Sequence, residues 1–251
     1  IESADDCLKI DENLQPGCLF RFTWMKGSSN PPVTFQEVEC PQELIDVIHV
    51  CIGRDIHIAP IVGGVNGTAT TYRFWGCCKT LLFLAINRHT NVQSGCDHDK
   101  NGTAFLCSDQ VGIAVNETFA YGFAGAYLSV DNGTSRCCQC LLITFEDFLI
   151  RDKQMIVQII NSGGNVNVSH IDIALPGGGG GLEDLGCTYQ WGDDAFDTIE
   201  DVDDCLTLPE SLQPGCQFRF TWMLSADNPP VKYQEVECPQ ELIDITGCQA
   251  S

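Results

Sequence analysis

Apolar and polar residues alternate along the middle of the chain with the two-residue period of β-strands. The segments LLITF (141–145), QMIVQII (154–160) and HIDIAL (170–175) alternate or are apolar throughout, and residues that favour turns separate them. No long segment shows a convincing 3.6-residue periodicity, which an amphipathic helix would give. The pattern therefore predicts a mostly β fold built as a barrel.

The chain carries nearly the same segment at both ends. Residues 5–46 and 203–244 align without gaps and share roughly 31 identical residues in about 42 positions, which identifies an internal duplication. We accordingly divide the chain into a duplicated first copy, a linker, and a barrel whose end is the second copy at 203–251. These three parts are residues 1–51, 52–71 and 72–251.

Each copy of the duplicated segment is predicted to be a hairpin. Aromatic residues alternate with polar ones as in a half-buried strand. These aromatic residues are Phe20, Phe22 and Trp24 in the first copy and Phe218, Phe220 and Trp222 in the second. In the second copy, DNPP then predicts a turn, VKYQEVEC a second strand, and PQELID a short helical turn started by Pro239. Such a unit cannot bury its own aromatic face, so it must pack on a larger body.

Charge and cysteine content limit the classes of protein to consider. The net charge is −21, with 13 basic residues scattered among 34 acidic ones, which argues against a nucleic-acid partner. The 16 cysteines and five Asn-X-Ser/Thr sites favour a secreted, extracellular, disulfide-rich glycoprotein carrying N-linked glycans. No apolar run is long enough to predict a membrane span. The five glycosylation sites are Asn66, Asn101, Asn116, Asn132 and Asn167.

Several motifs, in order along the chain, resemble glycoside hydrolase family 45. They are YRFWGCCK (72–79), AYGFAGA (120–126), RCCQC (136–140), KQMIVQIINSGGNVNVSHIDIALPGGGGG (153–181) and GCTYQWG (186–192). The resemblance implies an endo-β-1,4-glucanase ancestry and a six-stranded double-psi β-barrel related to expansins. The second copy looks like the normal C-terminal segment of that family, whereas the first copy lies outside the family pattern.

The resemblance also assigns the catalytic positions. Family members invert the anomeric carbon with a carboxylic acid and a carboxylate base roughly 6.5 to 9.5 Å apart. The acid position is Asp172, and the base position is occupied by Gly76, which cannot accept a proton. Asn165 replaces a further aspartate and is the candidate substitute base, and Phe74 stands where a tyrosine is expected. These changes favour a cleft that no longer hydrolyses its substrate.

Three aromatic residues are candidates for binding sugar rings: Phe74, Trp75 and Trp191. Core packing explains Trp75 and Trp191 equally well. His98 lies in an acidic loop and is better explained as a solvated side chain, so we predict no metal site and no cofactor.

The resemblance implies most of the disulfide pairing, and the duplication adds one pair. The implied pairs are Cys77–Cys187, Cys78–Cys96, Cys138–Cys248, Cys140–Cys238, Cys205–Cys216 and, by repetition, Cys7–Cys18. Four cysteines have no implied partner: Cys40, Cys51, Cys107 and Cys137. Two explanations stay open, because the first copy could be stapled to its own barrel or could dock on a neighbouring protomer.

Docking on a neighbour would join protomers head to tail. Such contacts give a filament when they do not close into a ring of protomers. Cys40, Cys51 and the aromatic residues of the first copy would then form the assembly surface. The sequence favours a structural subunit of this kind, whose partner is the protein itself. The alternatives are an endo-β-1,4-glucanase that acts on β-glucan and a non-hydrolytic, expansin-like wall-binding protein.

Overall fold

The computed structural model describes the region that contains most of the predicted strands. The described residues are 9, 58–78, 105–131, 136–162, 168–179, 186–192 and 199–250. The chain divides into two compact units, 1–52 and 53–251, and the elements below all belong to the second unit.

The strands form a closed, mixed β-barrel. In chain order they are β1 (Asn66–Phe74), β2 (Ile113–Ala114), β3 (Phe119–Tyr127), β4 (Cys140–Phe145), β5 (Gln154–Ser162), β6 (His170–Ala174) and β7 (Pro230–Val236). The sheet order is β2-β3-β5-β4-β7-β1-β6, and pairing of β6 with β3 closes the six longer strands into the barrel. β1 and β6 are parallel, as are β3 and β5, and the other pairs are antiparallel. The predicted mostly β barrel is confirmed.

Apolar residues that alternate along the strands fill the barrel interior. Leu141, Ile143, Met155, Ile171 and Ile173 are each at most 1 % exposed and belong to one core cluster. Among the described residues, three short α-helices lie outside the strands: α1 (Gly186–Trp191), α2 (Gln213–Thr221) and α3 (Gln240–Thr246). The intervening outward positions of β6, including Asp172, therefore lie on the outer face of the sheet.

The prediction of a strand around Phe218 is wrong, because this segment is helix α2. Pro214 lies in its first turn, where a missing N–H is tolerated. Phe218 and Trp222 are buried one turn apart, and their rings stack with centroids 5.2 Å apart. The aromatic residues at 218, 220 and 222 fit the two-residue period of a strand. The two that are buried, however, are four residues apart, which is a helical spacing. The second predicted strand is β7, and the predicted helical turn is α3, which begins at Gln240 after Pro239.

The described part of the predicted linker belongs to the barrel. β1 begins at Asn66, so residues 66–71 are strand. Further upstream, Pro60 forms an isolated bridge with Val236, and the Glu237 N–H donates to the Ala59 carbonyl at 2.8 Å. This segment therefore runs beside the C-terminal end of β7.

Four disulfides lie among the described residues. They are Cys77–Cys187, Cys138–Cys248, Cys140–Cys238 and Cys205–Cys216. All four are pairs that the family resemblance implies. Cys78 is also disulfide-bonded. Cys7, Cys18, Cys40, Cys51 and Cys96, together with Phe20, Phe22 and Trp24, lie outside the described residues.

Candidate active site

Asp172 lies on β6, between β1 and β3. The strand register determines which residues of these two strands lie beside it. Tyr72 of β1 and Gly125 of β3 are its direct partners. Since paired residues share a face of the sheet, these three residues form one row on the outer face. The neighbours of Asp172 along the strand, Ile171 and Ile173, point into the core. The acid position predicted from the sequence is thus on the surface of the barrel, with its backbone held from both sides.

His170 lies beside Asp172 on the same face of β6. Its imidazole Nε2 is 3.7 Å from Asp172 Oδ2, and its Nδ1 is 3.1 Å from the Val168 carbonyl oxygen, to which it donates when it carries the proton. The Tyr127 ring stacks on the imidazole at a centroid distance of 5.8 Å, and the Tyr72 ring meets it edge-on at 6.0 Å. The imidazole is therefore fixed in orientation with Nε2 towards the carboxyl group.

Burial and the charge of His170 shift the pKa of Asp172 in opposite directions. Only 23 % of the Asp172 side chain is exposed, and desolvation by burial raises the pKa of its carboxyl group. The charge of His170 lowers the same pKa, but burial is the larger influence. A carboxyl group with a raised pKa keeps its proton to higher pH, as a general acid requires.

A β-bulge brings a further polar residue into this row. The pairing of β3 with β5 shifts between Ala124 and Gly125, so that Gly125 lies opposite Asn161 rather than Ile160. A Cβ atom built on Gly125 would lie 3.5 Å from Asn161 Cβ and 3.6 Å from Asp172 Oδ2. The row therefore consists of Tyr72 on β1, Asp172 on β6, Gly125 on β3 and Asn161 on β5.

Sequence reasoning missed Tyr72, Gly125 and Asn161 as site residues. Tyr72 is 41 % exposed and flanks Asp172, so its ring is open to a ligand on this face. The strand pattern around each residue was readable, but the register that joins them depends on pairings between distant segments. The bulge at Ile160 has no signal in the apolar run that contains it.

The base position is buried at the end of β1. Gly76 is buried and follows Trp75, which is 1 % exposed and packs in the core with Cys77 and Cys187. Of the two alternatives that the sequence left open for Trp75, its burial therefore favours core packing over stacking on a sugar. Phe74 is half-buried and Trp191 is 37 % exposed on α1, while Asn165 lies outside the described residues.

The second copy supports the loop that follows β6. This loop contains Gly177 and Gly179 and is called the glycine loop below. Arg219 of α2 is buried and donates from Nη1 to the carbonyls of Gly177 at 3.0 Å and Ile199 at 3.1 Å. The Gly179 carbonyl in turn accepts from the Trp75 N–H at 2.8 Å. Burial lowers the pKa of the Arg219 guanidinium. The duplicated segment thus supplies an interaction that orders the end of the strand carrying Asp172.

Two predicted glycosylation sites lie among the described residues. Asn66 is exposed at the start of β1. Asn116 is exposed, and its Oδ1 accepts from the Thr118 backbone N–H, the Thr118 hydroxyl and the Phe119 N–H at 2.8 to 3.2 Å. Both asparagines are accessible to a modifying enzyme. Asn101, Asn132 and Asn167 lie outside the described residues.

Only one cluster of metal-ligating atoms occurs within the described ranges. It contains the sulfur atoms of Cys137, Cys138 and Cys248, which lie within 4.8 Å of one another. Because Cys138 and Cys248 form a disulfide, their sulfurs are not available as thiolate ligands. Within the part of the chain that the structure describes, no helix is both long and apolar enough to cross a membrane.

Comparison with known proteins relates the chain to carbohydrate-active enzymes. The family model described as Glycosyl hydrolase family 45 matches residues 1–51 and 66–249. An endoglucanase of Phaedon cochleariae is 37 % identical over 216 residues, covering 76 % of this chain and 88 % of the relative. An endoglucanase of Cryptopygus antarcticus is 34 % identical over 215 residues, covering 76 % of this chain and 93 % of that protein.

A solved structure gives the same relationship at the level of the fold. The crystal structure of a cellulase from the Antarctic springtail Cryptopygus antarcticus superposes with a TM-score of 0.67 at 32 % sequence identity. The match covers 74 % of this chain and 99 % of that one.

Proposed function

Since the chain belongs to glycosyl hydrolase family 45, we propose that it is a secreted endo-β-1,4-glucanase whose general acid is Asp172. One observation carries this proposal: a carboxyl group with a raised pKa lies on the barrel surface between an exposed tyrosine and a glycine. The relatives named endoglucanases support it. Five sequons and the disulfides favour an extracellular site of action on β-glucan.

The proposed reaction begins with Asp172 protonated. The carboxyl group donates its proton to the oxygen that leaves when the glycosidic bond breaks. The resulting carboxylate is stabilised by the imidazolium form of His170, which faces Asp172 Oδ2. The exposed ring of Tyr72 offers an apolar face to the adjoining sugar.

The weak point of the site is the base. Inversion also requires a water molecule that attacks the anomeric carbon from the opposite face and a group that accepts its proton. Gly76 has no side chain to accept that proton, and Asn165, in its imidic-acid form, is the candidate that accepts it. A positioned base contributes typically about 10²- to 10⁴-fold to such a reaction. We therefore propose an enzyme that is slower than family members with a carboxylate at the position of Gly76.

Restoring the base tests this proposal directly. Reducing sugar released from amorphous cellulose and from mixed-linkage β-glucan is measured for the unmodified chain, Gly76→Asp, Asp172→Asn and the double variant. We expect slow release by the unmodified chain, at least about 10-fold faster release by Gly76→Asp, and loss in both Asp172 variants. Glu237→Gln, which changes an exposed carboxylate of the same barrel, serves as the matched control.

No release by either the unmodified chain or folded Gly76→Asp would overturn the proposal. In that case, retention of the protein on cellulose without sugar release would favour the expansin-like, wall-binding alternative. Circular dichroism confirms that each variant is folded before its activity is interpreted.

A second proposed role, assembly through the first copy, rests on which residues the duplication preserves. The buried positions of the second copy mostly have identical counterparts, as if both copies face the same kind of core. Among the buried residues of 203–244, the replaced ones are Leu208, Ala226 and Tyr233, by Ile10, Ser28 and Phe35.

The barrel topology limits how such an assembly could form. β7 is hydrogen-bonded to β4 on one side and to β1 on the other, so the second copy occupies an interior position of its barrel. The first copy would therefore need a barrel from which the equivalent segment is displaced or missing. A filament requires this exchange at every contact, and for this reason we rank assembly below hydrolysis.

Disulfide mapping tests the assembly role. Non-reducing peptide mapping that links Cys40 to Cys140 of another molecule, with ladders on non-reducing gels and elongated particles in electron micrographs, would support it. A monomeric chain with Cys40 and Cys51 bonded internally would refute it. Residues 53–251, which lack the first copy, provide the control.

A further inference from the structure

An open, polar groove lies on the outer face of strands β1, β7, β4 and β5. Its volume is about 560 Å³, which falls within the roughly 300 to 1,000 Å³ of sites that hold small ligands. The proposed hydrolysis uses a different part of the sheet, around Asp172 on β6. This groove therefore has room for a ligand of its own, and we call it the outer groove.

The strand register arranges the side chains of the outer groove in two rows. One row consists of Asn66, Gln234 and Leu142. The other row consists of Thr68, Lys232, Thr144 and Gln154. The rows lie roughly 7 Å apart, because their members are alternate residues of the same strands. The face thus presents hydroxyl and carboxamide groups at regular spacing around one apolar side chain.

A predicted modification begins inside this groove. Asn66 stands at the end of the first row and is the acceptor residue of the sequon Asn66-Gly67-Thr68, which predicts an N-linked glycan. Asn66 and Thr68 are both exposed. A glycan attached here stays beside the groove at a high effective concentration, so individually weak contacts are enough to hold it.

The chemistry of the groove matches a neutral sugar. The sugars nearest the protein in an N-linked glycan are N-acetylglucosamine residues, whose hydroxyl and acetamido groups donate and accept hydrogen bonds. The carboxamides of Gln234 and Gln154 do the same. Gln154 Nε2 donates to Thr144 Oγ1 at 3.2 Å, which orients both side chains. The Lys232 ammonium lies 2.9 Å from Glu146 Oε1, so its charge is balanced and does not select an anion.

We propose that the glycan on Asn66 folds back onto the outer groove, where its first sugars lie across Gln234 and Leu142. The glycan then covers the outer face of β7 and β4 as a part of the folded barrel. This inference does not rest on the proposed hydrolysis. Tyr72 lies six residues further along β1, roughly 20 Å from Asn66, so the bound glycan leaves the face around Asp172 open.

Deglycosylation of the folded protein tests this contact. The chain is secreted from a eukaryotic host that adds high-mannose glycans, and occupancy of Asn66 is measured on glycopeptides by mass spectrometry. An endoglycosidase that cuts between the first sugars is applied to the folded and the denatured protein. We expect cleavage at Asn66 to be about 10-fold slower in the folded protein, as the net effect of two hydrogen bonds would give.

Substitutions in the groove separate binding of the glycan from general crowding. Gln234→Ala should speed cleavage in the folded protein about threefold, the loss of one hydrogen bond, and adding Gln154→Ala should bring the rate close to that of the denatured protein. Gln249→Ala removes an exposed glutamine outside the groove and serves as the matched control, which should leave the rate unchanged.

Thermal unfolding gives an independent measure of the same contact. Asn66→Gln removes the glycan, and its effect is measured both in the unmodified chain and in the Gln234→Ala/Gln154→Ala variant. The glycan should raise Tm by roughly 2 to 4 °C in the unmodified chain and by much less in the variant. A glycan that extends into solvent would change Tm equally in both.

Three results would overturn the proposal. They are an Asn66 that carries no glycan, equal cleavage rates in the folded and denatured protein, and a folded-state rate that the groove substitutions leave unchanged. The last result would mean that the glycan contacts another surface. None of these results bears on the proposed function, which depends on sugar release by the unmodified chain and Gly76→Asp.

Discussion

At the scale of single residues, the proposed acid catalysis depends on two side chains that share one face of β6. Asp172 is forced towards its neutral form by burial, and His170 partly opposes that effect. Neither influence requires a second carboxylate, so the acid survives the replacement of the base by Gly76. Under the proposed function, the acid position can thus keep its character without a carboxylate at the base position.

Replacing His170 by Gln is expected to extend activity to higher pH. Without the imidazolium charge, the influence that lowers the pKa of Asp172 is removed, and the carboxyl group keeps its catalytic proton to higher pH. The high-pH limb of the kcat/KM profile should therefore move upward. Tyr127→Leu removes ring packing on His170 but no charge, so it should lower stability and leave the limb in place. An unmoved limb in His170→Gln would contradict the assigned coupling.

Asp172→Asn is expected to be more stable than the unmodified protein at neutral pH. A carboxyl group whose pKa is raised by folding contributes its full stability below its unfolded pKa, and this contribution is lost as pH rises through the folded pKa. The neutral amide avoids that loss. Thermal unfolding at pH 7 should show a higher Tm for the variant, and the difference should disappear near pH 3. Equal Tm values at pH 7 would contradict the burial effect.

A functional role could be proposed from the sequence only for residues that lie in a local motif. Asp172 and Gly76 lie in short motifs, so the family resemblance proposes a role for each position. Tyr72 and Asn161 became site residues through pairings with β6 and β3, segments distant in sequence. Trp75 stayed ambiguous in the sequence, because an aromatic residue beside a catalytic motif looks the same whether it faces the ligand or the core.

At the scale of elements, helix α2 determines how the second copy is attached. Its Phe218 and Trp222 join the barrel core cluster, its Cys216 bonds to Cys205, and its Arg219 holds the glycine loop. The sequence predicted a strand here because F-R-F-T-W satisfies a period of two. The helix forms because the buried positions 212, 216, 219 and 223 follow a spacing of three and four.

The contact between α2 and Gly112, the residue before β2, can be tested by a double-mutant cycle. A Cβ on Gly112 would lie 2.5 Å from Phe218 Cδ1, so Gly112→Ala should destabilise the protein by about 1 to 3 kcal/mol through overpacking. Phe218→Ala should cost about 3 to 5 kcal/mol. The double variant should be less destabilised than the sum, because the truncated ring makes room for the methyl group. Additive free energies of urea unfolding would show that the two residues do not compete for this space.

At the scale of the whole molecule, the terminal segment is part of the barrel rather than an attachment to it. β7 completes the sheet between β4 and β1, and the disulfides Cys140–Cys238 and Cys138–Cys248 fasten the segment to the start of β4 and the residues before it. The four disulfides that lie among the described residues were readable through the family resemblance. The insertion of the last strand between two earlier ones was not, because local patterns carry no information on strand order.

Residues 53–251 are expected to fold and hydrolyse without the first copy. They form a separate compact unit, which contains Asp172, Tyr72 and all of the described strands. The truncated chain should match the full chain in Tm within a few degrees and in kcat/KM within about twofold; a few degrees corresponds to roughly 1 kcal/mol for a protein of this size. Loss of folding or activity would show that residues 1–52 contribute to the barrel.

The interior position of β7 also sets the order of events during synthesis. A ribosome delivers β1 and β4 long before residue 236, so both strands keep an open edge while the rest of the chain is translated. Open edges of this kind invite pairing with other chains. The nascent barrel therefore stays vulnerable to aggregation until β7 emerges. A message cut short before that point yields a protein with two unpaired strand edges rather than a slightly less stable barrel.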